Sequence, residues 1–222
     1  KMLSIKNNLE TLKQNLISLN KDSDITIVAV SKQQTTDKIL QAINYGQKIF
    51  GENYLQEALK KQEVLKAHDL EWHFIGPIQS NKCKLIAENF SWVHTIDRLK
   101  IAKRINDARR GMPPINICIQ INISREKTKS GVLIENLDNL ASELKEFSNL
   151  NLRGLMAIPS NTFDEEKLTA EFDLLSETYS LMRNKYITID KLSVGMSNDY
   201  MKAIHHGANM IRVGSNIFGV RE

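Results

Sequence analysis

Lys32 closes the stretch "ITIVAVSK" at residues 25–32, where a run of apolar, β-branched and small residues ends in a primary amine. An amine at the dry mouth of a buried strand loses its charge more easily than one in water. Once neutral it attacks aldehydes and forms a Schiff base. Alone, Lys32 also reads as a lysine that reaches out into solvent. Two small-residue turns near the end of the chain add chemistry. "GMSND" at 195–199 carries Met196 and Ser197, and "VGSN" at 213–216 carries Gly214 and Ser215. Serine hydroxyls and backbone N–H groups in such turns can hold a phosphate, and Gly214 lets a ligand approach the backbone. The same residue types also make ordinary tight turns. Arg212 precedes Gly214 by two positions in "IRVGS", so on a strand the two share a face. Beside an aromatic ring nitrogen its charge would disfavour protonation of that nitrogen. The other reading of Arg212 is a structural ion pair. A Schiff-base lysine, a phosphate grip and a ring-nitrogen partner together fit pyridoxal 5'-phosphate (PLP).

Other candidates carry less specific signals. Asn53 in "FGEN" could contact the ring, or cap a helix starting at Tyr54. His73 in "EWHFIG" could stack on or bond to the cofactor, or be a core histidine. The loop "REKTKSG", including residues 127–131, could meet a phosphate or a carboxylate, or simply be a mobile loop. His205 and His206 are adjacent and so diverge on a helix, which speaks against a metal pair. The two cysteines, Cys83 and Cys118, show no zinc spacing, and a reduced, cytoplasmic protein is expected.

These residues need a scaffold that gathers them. Eight short apolar runs read as strands: "ITIVAVS", "KIFGEN", "EWHFIG", "WVHTID", "INICIQIN", "NLRGLMAI", "KLSVG" and "MIRVGS". Amphipathic stretches with helical spacing separate them, and a further helix is predicted over 4–20, ahead of the first strand. Strict alternation calls for a parallel sheet covered by helices. Eight units predict an α/β fold, a single (β/α)8 TIM-type barrel with an extra N-terminal helix, as one domain over 1–222. No GxGxxG follows the first run, which disfavours an open dinucleotide-binding sheet. Barrel sites gather at the C-terminal strand ends, and Lys32, Asn53, "GMSND" and "VGSN" all fall there.

The 222 residues are 41% hydrophobic and 25% charged, with a net charge of +4. That charge is spread over helices such as "LKKQEVLK", which reads as solvated faces and not as a nucleic-acid footprint. No apolar stretch approaches a membrane span, and no signal peptide is visible. A monomer is expected.

"AVSK", "FGENYLQE", "WHFIGPIQSNK", "VHTID", "LRGLMAI" and "LSVGMSNDYMKAIHHGANMIRVGSNIFGVR" together resemble the pyridoxal phosphate homeostasis protein family, from about Ile25 to Arg221. Val194 and Pro77 depart from the family's commoner methionine and leucine and touch none of the proposed chemistry. The resemblance implies a barrel similar to the N-terminal domain of alanine racemase, with PLP held as a Schiff base on Lys32. It implies Arg212 at the ring nitrogen, the phosphate on Met196, Ser197, Gly214 and Ser215, and Asn53 nearby. Alanine racemase-like enzymes draw a second catalytic tyrosine from an added domain, and two-base racemisation needs an acid/base on each face. No such domain is evident before Glu222. The implied role is therefore a PLP carrier or buffer in vitamin B6 homeostasis without a defined turnover, with PLP-dependent apoenzymes as recipients. A single-domain PLP racemase or lyase is the alternative, and a Schiff-base aldolase without cofactor is a third reading.

Overall fold

Alternation of inward and outward side chains along each strand organises the molecule. The computed structural model describes residues 4–21 and 24–220. The two ends of the domain expected over 1–222, and Arg221 of the last motif, lie outside these. The strands are β1 (Thr26–Val30), β2 (Ile49–Glu52), β3 (Glu71–Phe74), β4 (Trp92–Ile96), β5 (Ile115–Ile121), β6 (Leu150–Ala157), β7 (Lys191–Ser193) and β8 (Met210–Val213). All neighbours pair in parallel, and β8 returns to β1 in the register Thr26↔Met210 to Ala29↔Val213, so the sheet closes as a barrel. After α1 (Ile5–Ser18), the helices are α2 (Thr36–Asn44), α3 (Leu55–Val64), α4 (Cys83–Asn89), α5 (Leu99–Ala108), α6 (Ile134–Leu144), α7 (Glu165–Lys185), α8 (Tyr200–His205) and α9 (Ser215–Phe218). This is the expected (β/α)8 barrel with its extra N-terminal helix. β1 ends at Val30, so Lys32 stands in the turn beyond the strand and not at its last position.

Outward residues such as Ala29, Phe50, Phe74 and Ile117 join the helices in the main core. Inside the barrel, Val28, Trp92, Cys118, Met156 and Met210 form a smaller apolar cluster. The interior also buries polar groups: His73, His94 and Ser193 are wholly inaccessible, and Arg212 nearly so. The N-terminal end is closed by aromatic stacking. The His73 ring lies 5.2 Å from that of Trp92, nearly parallel to it. Arg153 covers Trp92 at 5.0 Å and makes a two-pronged pair with Asp190 at 2.9 and 2.8 Å.

α1 is capped by the Ser4 side chain, which accepts from the Asn7 N–H. Its apolar stripe Ile5, Leu9, Leu12 and Leu16 is buried. Asn8 Nδ2 donates to the Ile217 carbonyl at 2.8 Å and Asn15 Nδ2 to the Tyr200 hydroxyl at 2.7 Å. The extra helix thus braces α9 and α8, the two helices that follow the serine turns. Gly195 fixes the first of those turns: its φ is +108°, and a Cβ there would sit 2.9 Å from the Ala203 Cβ. Among the described residues no helix is long and apolar enough to cross a membrane, and no group of three or more His, Cys, Asp or Glu side chains is arranged to hold a metal.

Candidate cofactor site

At the C-terminal mouth of the barrel lies a cavity of about 500 Å³, a volume suited to a small cofactor. Lys32, Asn53, Met196, Ser197, Arg212, Gly214 and Ser215 all line it. These are seven of the eight residues singled out in the sequence, drawn from β1, β2, β7 and β8 and the loops beyond them. Val30, Ile75, Met156 and Ile158 supply apolar walls.

His73 is the exception. It does not line the cavity, and both of its ring nitrogens are engaged, Nδ1 with His94 Nε2 at 2.8 Å and Nε2 with Glu71 Oε1 at 2.6 Å. The expected contact with a cofactor is corrected by register. His73 pairs with Gly51, one inward layer below Asn53, and it is Ile75, just beyond the end of β3, that reaches the cavity. An inward face can be read from strand period, but depth along the barrel cannot.

Asn53 turns out not to cap α3. The cap position is Tyr54, with no side-chain hydrogen bond, and the buried Asn53 Oδ1 has no partner. A buried acceptor without a donor is costly. On the cavity wall, a ligand hydroxyl or N–H would satisfy it. Gly76 sets the position of Asn53, because a Cβ there would lie 2.3 Å from the Asn53 carbonyl oxygen. Gly76→Ala is expected to cost about 1–3 kcal/mol by overpacking and to weaken ligand binding as Asn53 shifts, measurable by thermal melts with and without PLP.

Arg212 donates from Nη1 to the Ser193 carbonyl and hydroxyl, both at 2.7 Å, and from Nη2 to the Ala157 carbonyl at 3.1 Å. Burial lowers its pKa to about 10, which leaves it a cation at neutral pH. The two serine turns are tied to each other: Asn216 N–H donates to Ser197 Oγ at 3.2 Å, and Asn216 Nδ2 to the Ser197 carbonyl at 3.0 Å.

The turn that carries Lys32 rests on a buried charge cluster that sequence reading missed. Lys61 of α3, read in the sequence as part of a solvated face, is only 6% exposed. Its Nζ donates to the Ser31 carbonyl and to Glu57 Oε1, both at 2.6 Å, and lies 2.6 Å from Glu52 Oε1. Glu52 is wholly inaccessible, so this ion pair is a buried one. Burial pushes the Glu52 carboxyl up to about 7 against the pull of Lys61. Glu57 Oε1 also accepts from the Gln33 N–H at 2.5 Å and supports that residue at φ +59°, a left-handed conformation that glutamine rarely adopts.

Beside the main cavity is a smaller one of about 210 Å³, lined by Asn53, Thr95, Gln120, Asn122, Lys129 and Ser130 among others. The loop 127–131 therefore contributes to the same mouth.

Residues 4–222 match the family described as "Alanine racemase, N-terminal domain". The chain is 48% identical over 206 residues to the pyridoxal phosphate homeostasis protein of Escherichia coli K12, covering 90% of this chain and 87% of that one. It is 44% identical to the protein of the same name from Vibrio cholerae, over all of this chain and 98% of the relative. Among solved structures, PipY of Synechococcus elongatus with PLP bound superposes with a TM-score of 0.83 at 30% identity, covering 94% of this chain and all of that one. Alanine racemase of Corynebacterium glutamicum shares the fold, with a TM-score of 0.77 at 17% identity over 97% of this chain and 61% of its own. This chain belongs to the alanine racemase N-terminal domain family and, within it, to the pyridoxal phosphate homeostasis proteins.

Proposed function

We propose that this chain binds PLP in the cavity at the barrel mouth, tethers it reversibly through Lys32, and acts in PLP homeostasis as a carrier or buffer. The observation that carries this reading is the meeting of Lys32, Arg212, both serine turns and the unpartnered Asn53 Oδ1 on one cavity. The relatives' names and the PLP-bound PipY structure support it. When bound, PLP supplies an electrophilic aldehyde and a ring that delocalises charge.

The chain's own residues divide the work. Lys32 offers the amine, at a half-buried position on the cavity wall beside Val30. Ser197 and Ser215 offer hydroxyl donors to a phosphate, and Gly214 gives it access to the backbone. Asn53 Oδ1 accepts from a ring substituent. Arg212 keeps donors for the ring side of the cavity, and its charge opposes protonation of a ring nitrogen there, which limits the ring as an electron sink. Such a site favours holding a cofactor over turning substrates over, with PLP-dependent apoenzymes as the recipients.

The test is addition of PLP to the purified chain, followed by borohydride and intact-mass measurement. The expected result is a stable mass gain of one reduced cofactor. No gain, or rapid racemisation of alanine or serine by the PLP-loaded chain, contradicts the proposal. Arg212→Gln is expected to move the visible absorbance of bound PLP more than it weakens binding. Equal loss of both would make Arg212 a structural residue.

A further inference from the structure

Arg212 is a buried cation whose hydrogen bonds go to Ser193 and Ala157 and to no carboxylate among the described residues. A buried charge needs compensation from hydrogen bonds or a counter-ion. The polar groups beneath it form a continuous chain whose directions are fixed from the far end: the Glu71 carboxylate only accepts, so with both rings neutral His73 donates to it, His94 donates to His73, and His94 Nδ1 is left to accept from Ser193. A guanidinium only donates, so Ser193 Oγ accepts from Arg212 Nη1 at 2.7 Å. The serine hydrogen goes to the accepting His94 Nδ1, 2.8 Å away. An accepting Nδ1 puts the His94 proton on Nε2, which donates to His73 Nδ1 at 2.8 Å. His73 in turn carries its proton on Nε2 and donates to Glu71 Oε1 at 2.6 Å.

The protonation states agree with this reading. Burial lowers the pKa of both histidines, that of His94 well below the usual value with help from His73 and Arg212, so both rings are neutral. The hydrogen bond from His73 holds the Glu71 carboxyl below its usual range, so it stays ionised. The only charges on the line are a guanidinium at the cavity floor and a carboxylate at the closed end of the barrel. Hydrogen bonds aligned in one sense polarise one another. Every ring nitrogen and the serine hydroxyl are satisfied, which accounts for two histidines deep in a barrel interior.

We propose that Ser193, His94, His73 and Glu71 form a one-way hydrogen-bond line that orients Arg212 and sets its electronic demand on the ring of bound PLP, with Glu71 acting from the opposite end of the barrel as a positioning residue. This rests on the reading above that Arg212 meets the cofactor ring. The line itself is tested without any ligand, by ¹⁵N NMR of histidine-labelled protein at neutral pH, with assignments from single His→Asn variants. Both buried histidines are expected as the neutral Nε2–H tautomer. An Nδ1–H tautomer or an imidazolium at either position overturns the line. Ser193→Ala is expected to move the ¹⁵N shift of His94 Nδ1 to that of an acceptor without a hydrogen bond while the Nε2–H tautomer stays, and an unmoved shift overturns the line as well.

The coupling to the cofactor is tested with Glu71→Gln, a half-exposed change that keeps an acceptor and removes the charge. The visible absorbance of bound PLP is expected to shift while the thermal midpoint of the unloaded chain stays unchanged. An unshifted spectrum overturns the coupling. A wild-type chain that binds no PLP overturns the reading of the cavity, and the tautomers then decide the line separately.

Discussion

Lys32→Ala is expected to abolish covalent capture of PLP, so that borohydride leaves the mass of the variant unchanged where wild type gains the cofactor. The turn that presents this lysine is fixed by backbone bonds. Ser31 N–H donates to the Gly51 carbonyl and Gln34 N–H to the Ser31 carbonyl, both at 3.0 Å. The amine is therefore delivered at one place on the cavity wall, and an alanine leaves nothing there to attack an aldehyde. The serine turns and Arg212 are untouched by the change. Non-covalent binding should survive at lower affinity, and equilibrium dialysis measures it. Capture that persists at wild-type level would place the reactive amine elsewhere, and Lys129 on the neighbouring cavity would be the first to check.

Lys61→Met is expected to be the most destabilising single change near the site. It leaves Glu52 buried without its cation, and breaking one side of a buried pair costs about 3–5 kcal/mol. For a chain of this size that is a fall in thermal midpoint of roughly 6–20 °C. The sign of the pH dependence follows from Glu52. Its folded pKa, about 7, lies above the ordinary value of 4.5. The folded state therefore keeps a proton that the unfolded state releases between these values. The stability from that bound proton is full below about 4.5 and is lost as pH rises through about 7. Without Lys61 the carboxyl is pushed further up, so the penalty in the variant should be smaller at pH 5 than at pH 8. Adding Glu52→Gln should recover part of the loss at pH 8 and little at pH 5. A pH-independent penalty would mean that Lys61 acts only through Ser31 and Glu57. The same variant removes one of the two hydrogen bonds to the Ser31 carbonyl and loosens the turn that carries Lys32, so PLP capture should also slow.

Period and punctuation made the barrel legible. Eight apolar runs alternating with amphipathic stretches admit few other architectures, and the rule that sites lie at C-terminal strand ends placed Lys32, Asn53, Arg212 and the serine turns at one mouth. What the sequence could not show was depth and pairing. His73 points inward as expected, but the stagger of β3 against β2 puts it beside Gly51 at a lower layer. That layer belongs to the line below Arg212. Ser193 and His94 belong to it for the same reason, although nothing in "KLSVG" or "VHTID" signals a shared hydrogen bond. Lys61 was hidden differently. It sits in "LKKQEVLK" among lysines that face water, and only the packing of α3 against β2 singles it out. Long-range pairs between charged residues leave no periodic trace.

Everything at this mouth turns on whether the amine of Lys32 captures PLP. Peptide mapping by mass spectrometry of the wild-type chain, after PLP and borohydride, tests it most directly. The expected result is one modified peptide, with the cofactor on Lys32. Modification spread over surface lysines, or confined to a different one, would show that Lys32 is not the capturing residue.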